Sequence, residues 1–494
     1  MFQLEEISPK IKIPKDIKKV NIRYELIKNF ISVAIYYQGK ELVYEIIEPK
    51  LTKKEAIIFD KLYEGLLQLI DLSPMDFKNK NELIKYFENK IKFLLNEYNY
   101  RVSEKSYNKL MYYIYRNFVG FNEIEGLMLD DYIEDINCNG LNTEVYIKHR
   151  LFGNLKTNII YKNSEDIKNF IIKLAQRCNK HISYSNPFLE GSLADGSRIE
   201  GTISEEISPK GPNFSIRKFR RVPFSPTELI ASNSISAEAF AYLWYLIEHK
   251  SNILIIGGAG VGKTTLLTSL LTFIPANSKI VSIEDTREIR IHHGNWIATV
   301  SRESVGGLKI GEVDLNKLLR ESFRENPEYV VVGEVRGEET YVMFQGMASG
   351  HPTLSTFHSE DLPSVISRLK NPPINLSSSL IELLDVVITI VKYESKNSIM
   401  RRVKKIEEFI KMDEIRGVAE TKTIVSYNSK KDNFEYTPIS HILEKISIDQ
   451  GINLKNIKKI IKNREKFLLS LVRKKIFDMY EVQKEIENYV YDEK

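Results

Sequence analysis

The sequence predicts an α/β chain: a core with a largely parallel sheet, a small α+β domain in front of it and a helical module at the N-terminus. Three observations predict this. Between residues 252 and 391, apolar runs of strand length alternate with helical stretches, the rhythm of parallel strands linked by helices. A glycine-rich loop, Gly257 to Thr265, joins one of those strands to the next helix. Between residues 143 and 217, turn-separated strand pairs surround a single amphipathic helix, which reads as a separate α+β unit.

Composition sets the outer limits. The 494 residues allow two to four domains at roughly 150 residues each, and 43% hydrophobic residues suffice for their cores, which excludes a disordered or low-complexity chain. Seventy-one Lys plus Arg against 66 Asp plus Glu leave a net charge of +5, small for this length, so nucleic acid is not an expected partner. Two cysteines, Cys138 and Cys178, are too few for a disulfide framework or a four-cysteine zinc site and read as small core residues. No apolar run approaches the roughly 18 to 20 residues of a membrane span. The N-terminus, Met1 to Glu6, lacks the basic and apolar regions of a signal peptide.

The elements follow in order. Residues 1–115 read as lysine-rich helices and short strands, and Leu83, Ile84, Phe87, Ile91, Leu94 and Leu95 recur at helical spacing, giving a helical N-terminal module with no recognisable chemistry. Residues 116–222 form the small α+β domain. Its strands at 143–149 and 155–161 flank a Gly153-Asn154 turn, its helix carries Ile167, Phe170, Ile171, Leu174, Ala175 and Cys178, and two more strands lie at 197–203 and 213–217. Residues 223–234, with Pro223, Pro226 and a polar run, read as the linker. The core spans 235–440, with strands at 252–256, 279–283, 329–333, 353–357 and 385–391 and a hairpin at 422–436. Residues 441–494 form a basic helical tail.

Gly257, Gly258, Ala259, Gly260, Val261, Gly262, Lys263, Thr264 and Thr265 fit G-x4-G-K-[ST], preceded by an apolar strand and followed by Leu266, Leu267, Leu270 and Leu271 on a helix. Glycines let successive backbone N–H groups face phosphate, and the helix N-terminus adds partial positive charge. Lys263 reaches the β/γ-phosphates and Thr264 holds Mg2+. Two later strands end in acids: 280–283 runs into Glu284-Asp285-Thr286-Arg287-Glu288, and 330–333 into Glu334. Carboxylates at the carboxyl edge of a parallel sheet lie where such folds bind ligands, one beside the metal and one to handle water. His351 and His358 flank another strand; their spacing alone leaves their role open.

Together these residues resemble the secretion-superfamily ATPases, the type II/type IV family that powers pilus assembly, protein secretion and archaellum rotation. Four ordered elements carry the resemblance: the loop ending Gly262-Lys263-Thr264-Thr265, the acidic box Glu284 to Glu288, Gly333-Glu334-Val335-Arg336 with glutamate in place of aspartate, and the histidine box Gly350-His351 to His358. Ile133 to Gly140, Ala194 to Arg198 and Phe214 to Phe219 resemble its archaeal branch, so the likeness runs over roughly residues 120 to 440. It implies a RecA-like P-loop NTPase core and a PAS-like α+β domain. It further implies ATP and Mg2+, with Glu288 as the water-handling carboxylate, Thr264 and Glu334 at Mg2+ and His358 at the γ-phosphate. Arg198 and Arg217 match the arginines that complete the site. Two features depart from the pattern: Ala259 and Val261 stand where many relatives carry hydroxyl residues, and the tetracysteine zinc module of some bacterial relatives is missing.

The resemblance implies a cytoplasmic homohexamer, peripheral to the inner face of the cell membrane, that acts on a multispanning membrane platform protein and, through it, on pilin-like filament subunits. Between Lys455 and Lys475, nine Lys/Arg and one acid interleave with apolar residues at helical spacing, so the tail reads as a solvated helix packed on its own ring, with peripheral contact to anionic lipid or an acidic loop as the sharper alternative. The basic stretch from Lys10 to Lys19 raises the same question. The alternative function is a nucleic-acid-translocating hexameric P-loop ATPase, whose turnover nucleic acid would stimulate with steep salt dependence.

Overall fold

The chain divides into two units, Met1–Arg221 and Val222–Lys494, each built on one nine-stranded sheet. The computed structural model describes residues 2, 4–7, 9, 11, 20–70, 80–219, 222–302, 311–395, 398–437 and 439–493. All but one residue of the basic stretch from Lys10 to Lys19 lies outside them. Among the described residues, no helix is long and apolar enough to cross a membrane.

The first unit begins with β1 (Asn21–Ile27), β2 (Ile31–Gln38) and β3 (Glu41–Ile47), followed by α1 (Lys53–Leu69), α2 (Lys80–Glu97), α3 (Glu104–Phe118) and α4 (Glu125–Leu129). Then come β4 (Ile133–Cys138), β5 (Glu144–His149), β6 (Gly153–Ile160), α5 (Ser164–Arg177), β7 (Phe188–Ser192), β8 (Arg198–Thr202) and β9 (Asn213–Arg217). The sheet order is β1-β2-β3-β6-β5-β4-β9-β8-β7, and its one parallel pairing, Val43↔Lys156 and Tyr44↔Thr157, joins β3 to β6.

The N-terminal module expected at residues 1–115 is helical only after its first three strands, and it is not separate as expected, because those strands continue the sheet of the α+β region. Their less buried faces carry Arg23, Glu25, Tyr36 and Glu45, so polar residues interrupt the apolar runs that mark a strand in sequence. A buried carboxylate reinforces the join, since Asp130, just before β4, accepts the hydroxyls of Tyr44 in β3 (2.7 Å) and Tyr24 in β1. Cys138 and Cys178 are free thiols, and burial pushes both up to about 11.

The second unit opens with α6 (Pro226–Ala231) and α7 (Ala237–Glu248), then β10 (Ile253–Gly257), α8 (Lys263–Leu270), β11 (Ile280–Glu284), β12 (Trp296–Val300), α9 (Leu315–Arg324) and β13 (Tyr329–Val335). It continues with α10 (Glu339–Ala348), β14 (Thr353–His358), α11 (Leu362–Lys370), α12 (Ser378–Ile381) and β15 (Val386–Ser395). Last are β16 (Ser398–Asp413), β17 (Val418–Asn428), β18 (Asn433–Tyr436), α13 (His441–Gln450), α14 (Leu454–Arg473) and α15 (Met479–Glu493). The order is β12-β11-β13-β14-β10-β15-β16-β17-β18, parallel as far as β15 and antiparallel beyond it.

Much of the stretch read as a linker is built into this unit. Ser225 caps α6 by accepting the Glu228 N–H (3.2 Å), and the Thr227 hydroxyl donates to the Ile476 carbonyl (2.7 Å); Arg220 and Arg221, just before the linker, lie outside the described residues. The basic tail is likewise part of the core. Ile457, Ile461, Leu468 and Leu471 of α14 are buried, and Arg464 lies 4.5 Å over the Trp244 ring of α7 while pairing with Glu248 (2.7 Å) and Glu493 (2.8 Å).

Candidate active site

The functional side chains gather where parallel strands end. β10 is buried along its whole length and delivers the chain at Gly257 into the phosphate loop. A Cβ on Gly257 would stand 2.6 Å from the Ile390 carbonyl oxygen and 2.8 Å from Val261 Cγ2, so only glycine fits. Gly260 and Gly262 have φ of 68° and 98°, the left-handed region that glycine occupies without strain. Gly262 is the N-cap of α8 and offers no side-chain acceptor, which leaves the first helical N–H groups for an anionic ligand. Val261 is buried and packs against Gly257.

Lys263 is buried, and its Nζ donates to the carbonyls of Gly257 and Gly258, 3.1 Å each. It also stands 3.8 Å from Glu334 Oε1. Burial lowers its pKa, while Glu334 and Glu288 pull the other way. Thr264 and Thr265 follow in the first turn of α8, both half-buried. The loop strand β10 and the Glu334 strand β13 are not neighbours; β14 runs between them. The β10–β14 register sets His358 directly beside Gly257. His351, just before the other end of β14, packs on Phe323 with ring centroids 5.1 Å apart and takes no part in the site.

The two acidic segments end neighbouring parallel strands. At the exposed edge, Asp285 accepts Arg336 in an ion pair. Beneath it, the Glu284 side chain is 3% exposed, and its Oε1 accepts the N–H groups of Glu288 and Ile289, 2.8 Å each. Its Oε2 is buried with no hydrogen-bond partner. Glu288 itself is half-buried, on the turn that Glu284 holds.

This convergence of lysine, two acids and a histidine on a glycine loop is the kind of arrangement that phosphoryl transfer requires. The family model of the type II/IV secretion system proteins matches residues 154–487. The chain belongs to that family. An uncharacterized protein of Methanocaldococcus jannaschii is 33% identical over 465 residues, covering 89% of this chain and 83% of the relative. Among solved structures, the ATPase DotB of Legionella pneumophila is 16% identical, covers 69% of this chain and 84% of its own, and has a TM-score of 0.42. The VirB11 ATPase of the Brucella suis type IV secretion system is 20% identical, with coverages of 56% and 90% and a TM-score of 0.30. This type II/IV secretion protein is an ATP-hydrolysing enzyme with a RecA-like core.

Arg198 and Arg217 of this ATPase lie in the first unit, directly opposite each other across the β8–β9 pair, so their side chains share one face of the sheet. Sequence reasoning missed two residues of the second unit. Glu284 is the first acid of its box, and no sequence signal separates it from Asp285 or Glu288. Arg401, whose Nε donates to the Gly260 carbonyl (3.1 Å), lies on β16, a strand whose paired charges gave no strand signal in the sequence.

Proposed function

We propose that the chain is the subunit of a homohexameric, Mg2+-dependent motor that turns ATP hydrolysis into movement between its two units and so drives a type IV pilus-like filament through a multispanning membrane platform protein. The observation that carries the reading is the meeting of Lys263, Glu334 and His358 at the mouth of the phosphate loop.

In this mechanism Lys263 gives up the Gly257 and Gly258 carbonyls for the β/γ-phosphates, and the backbone of Gly258 to Thr265 holds the remaining phosphate oxygens. Glu288 orients the attacking water and takes its proton. His358 donates to the γ-phosphate, which makes the strand beside the loop responsive to its departure. Thr264 and Glu334 would hold Mg2+; one hydroxyl and one carboxylate are hard oxygen donors of the sparse kind this ion combines with phosphate and water. When bound, the ion neutralises charge on the phosphates. Arg198 and Arg217, from the same or a neighbouring subunit, add fixed positive charge as the transition state forms.

The site of action is the inner face of the cell membrane. Lys455, Lys458, Lys459, Lys462 and Lys466 are exposed along α14 and offer a basic stripe to the platform's acidic loops or to anionic headgroups. The test is sedimentation of the purified chain with and without Mg-ATP, together with capture of its membrane partner from native membranes. A hexamer that forms with nucleotide and retains a multispanning protein is expected; a chain that stays monomeric at saturating Mg-ATP overturns the hexameric motor.

A further inference from the structure

Glu284 is unusual among the acids of the site because it is shut away from solvent. It ends β11, and across the β11–β13 pairing its side chain lies against Gly333, where an added Cβ would stand 3.1 Å from Glu284 Cγ. One carboxyl oxygen holds two consecutive backbone N–H groups, those of Glu288 and Ile289, and the other is buried without a partner. A buried, half-satisfied carboxyl costs stability, and its retention needs a reason. Burial pushes this carboxyl up to about 7, although the two N–H bonds oppose the shift.

We propose that Glu284 is a positioning residue for hydrolysis: through Oε1 it fixes the backbone at Glu288, and through its methylenes it fills the space left by Gly333, so that it sets the spacing between the Glu288 and Glu334 carboxylates. Each contact addresses one of the two segments. The N–H bonds stop the 285–288 turn from drifting outward, and the contact with Gly333 ties that turn to the strand carrying Glu334. What matters is an acceptor at the reach of a glutamate, not a charge. This rests on Glu288 as the water-handling carboxylate.

The test compares Glu284→Gln, Glu284→Asp and Glu284→Ala. Glutamine keeps the reach and an acceptor oxygen, whereas aspartate keeps the charge and loses one methylene. The expected result is a kcat for Glu284→Gln within about threefold of the parent and a loss of roughly 10- to 100-fold for Glu284→Asp and Glu284→Ala, with KM for ATP unchanged, as misplacement of one catalytic group predicts. Hydrogen exchange at the amides of Glu288 and Ile289 is expected to stay slow in Glu284→Gln and to accelerate in the other two. Should Glu284→Ala fail to fold, the Gln and Asp pair still decides. Glu284→Asp outperforming Glu284→Gln, or KM rising in step with the fall in kcat, overturns the proposal. Glu288→Gln in the same assay separates the two readings: parental turnover there removes the role of Glu288, while the exchange data still report whether Glu284 holds the turn.

Discussion

Glu284 and Glu408 are both buried on strands of one sheet, and their surroundings are opposite. Glu408 lies in the antiparallel half, on β16, where it accepts the hydroxyls of Tyr242 (2.6 Å) and Ser440 and the N–H groups of His441 (2.7 Å) and Ile442 (3.4 Å). Both of its oxygens are used, and it sits at the N-terminus of α13, where the helix favours a negative charge. Glu284 lies at the carboxyl edge of the parallel half, with two donors on one oxygen and none on the other. A saturated carboxylate locks the antiparallel extension and the tail helices to the core. The half-satisfied one stands beside the phosphate loop's acidic segments, with its one bonded oxygen on the turn that carries Glu288.

The sharpest way to break this contrast is at the residue that Glu284 holds. Glu288→Gln is expected to cut kcat by about 10²- to 10⁴-fold with nucleotide affinity and thermal stability unchanged, as loss of a general base requires; single-turnover ATP hydrolysis measures it. Next in size, Glu408→Ala strands four buried donors and is expected to cost on the order of 3–5 kcal/mol in chemical denaturation. Its turnover per folded molecule should stay near the parent value, since Glu408 belongs to no part of the site.

A third test uses protons. The Glu284 carboxyl is raised from 4.5 to about 7 in the folded state, so between those values the folded chain binds the extra proton and the unfolded chain does not. Stability therefore falls as pH rises from about 4.5 to about 7, by roughly 3 kcal/mol in all. Denaturant midpoints across that range should show the slope, and Glu284→Gln should lose this component of it. The smallest effect is expected at the rim of the loop. Arg401→Ala removes the hydrogen bond to the Gly260 carbonyl and is expected to weaken ADP binding about threefold to tenfold, the scale of one ordinary hydrogen bond; titration with a fluorescent ADP analogue measures it.

Much of the core was legible because its code is local. The phosphate loop announces itself through Gly257, Gly262 and Lys263, and the parallel strands through unbroken Val, Ile and Leu runs that only a doubly covered sheet buries. The antiparallel strands were harder. β16 reads Arg-Arg-Val-Lys-Lys-Ile-Glu-Glu through its centre, paired charges that a half-exposed strand tolerates and that gave no strand signal in the sequence. β1 to β3 were not located within the lysine-rich segment read as helices and short strands, because polar residues such as Arg23, Glu25 and Glu45 interrupt their apolar pattern.

The sequence by itself determined the chemistry available to this protein: a phosphate loop, two acidic segments and a histidine box, each written in consecutive residues whose backbone preferences act over a single turn. Only the tertiary structure decided how those pieces meet. It ran β14 between β10 and β13, which sets His358 beside Gly257 and sends His351 to the far edge. It buried Glu284 against Gly333 while leaving Asp285 exposed, and it brought Arg401 to Gly260 across 141 residues of sequence. Strand order and burial arise from pairings between distant segments, and that information is carried by the complementarity of whole surfaces, not by any run of neighbouring residues.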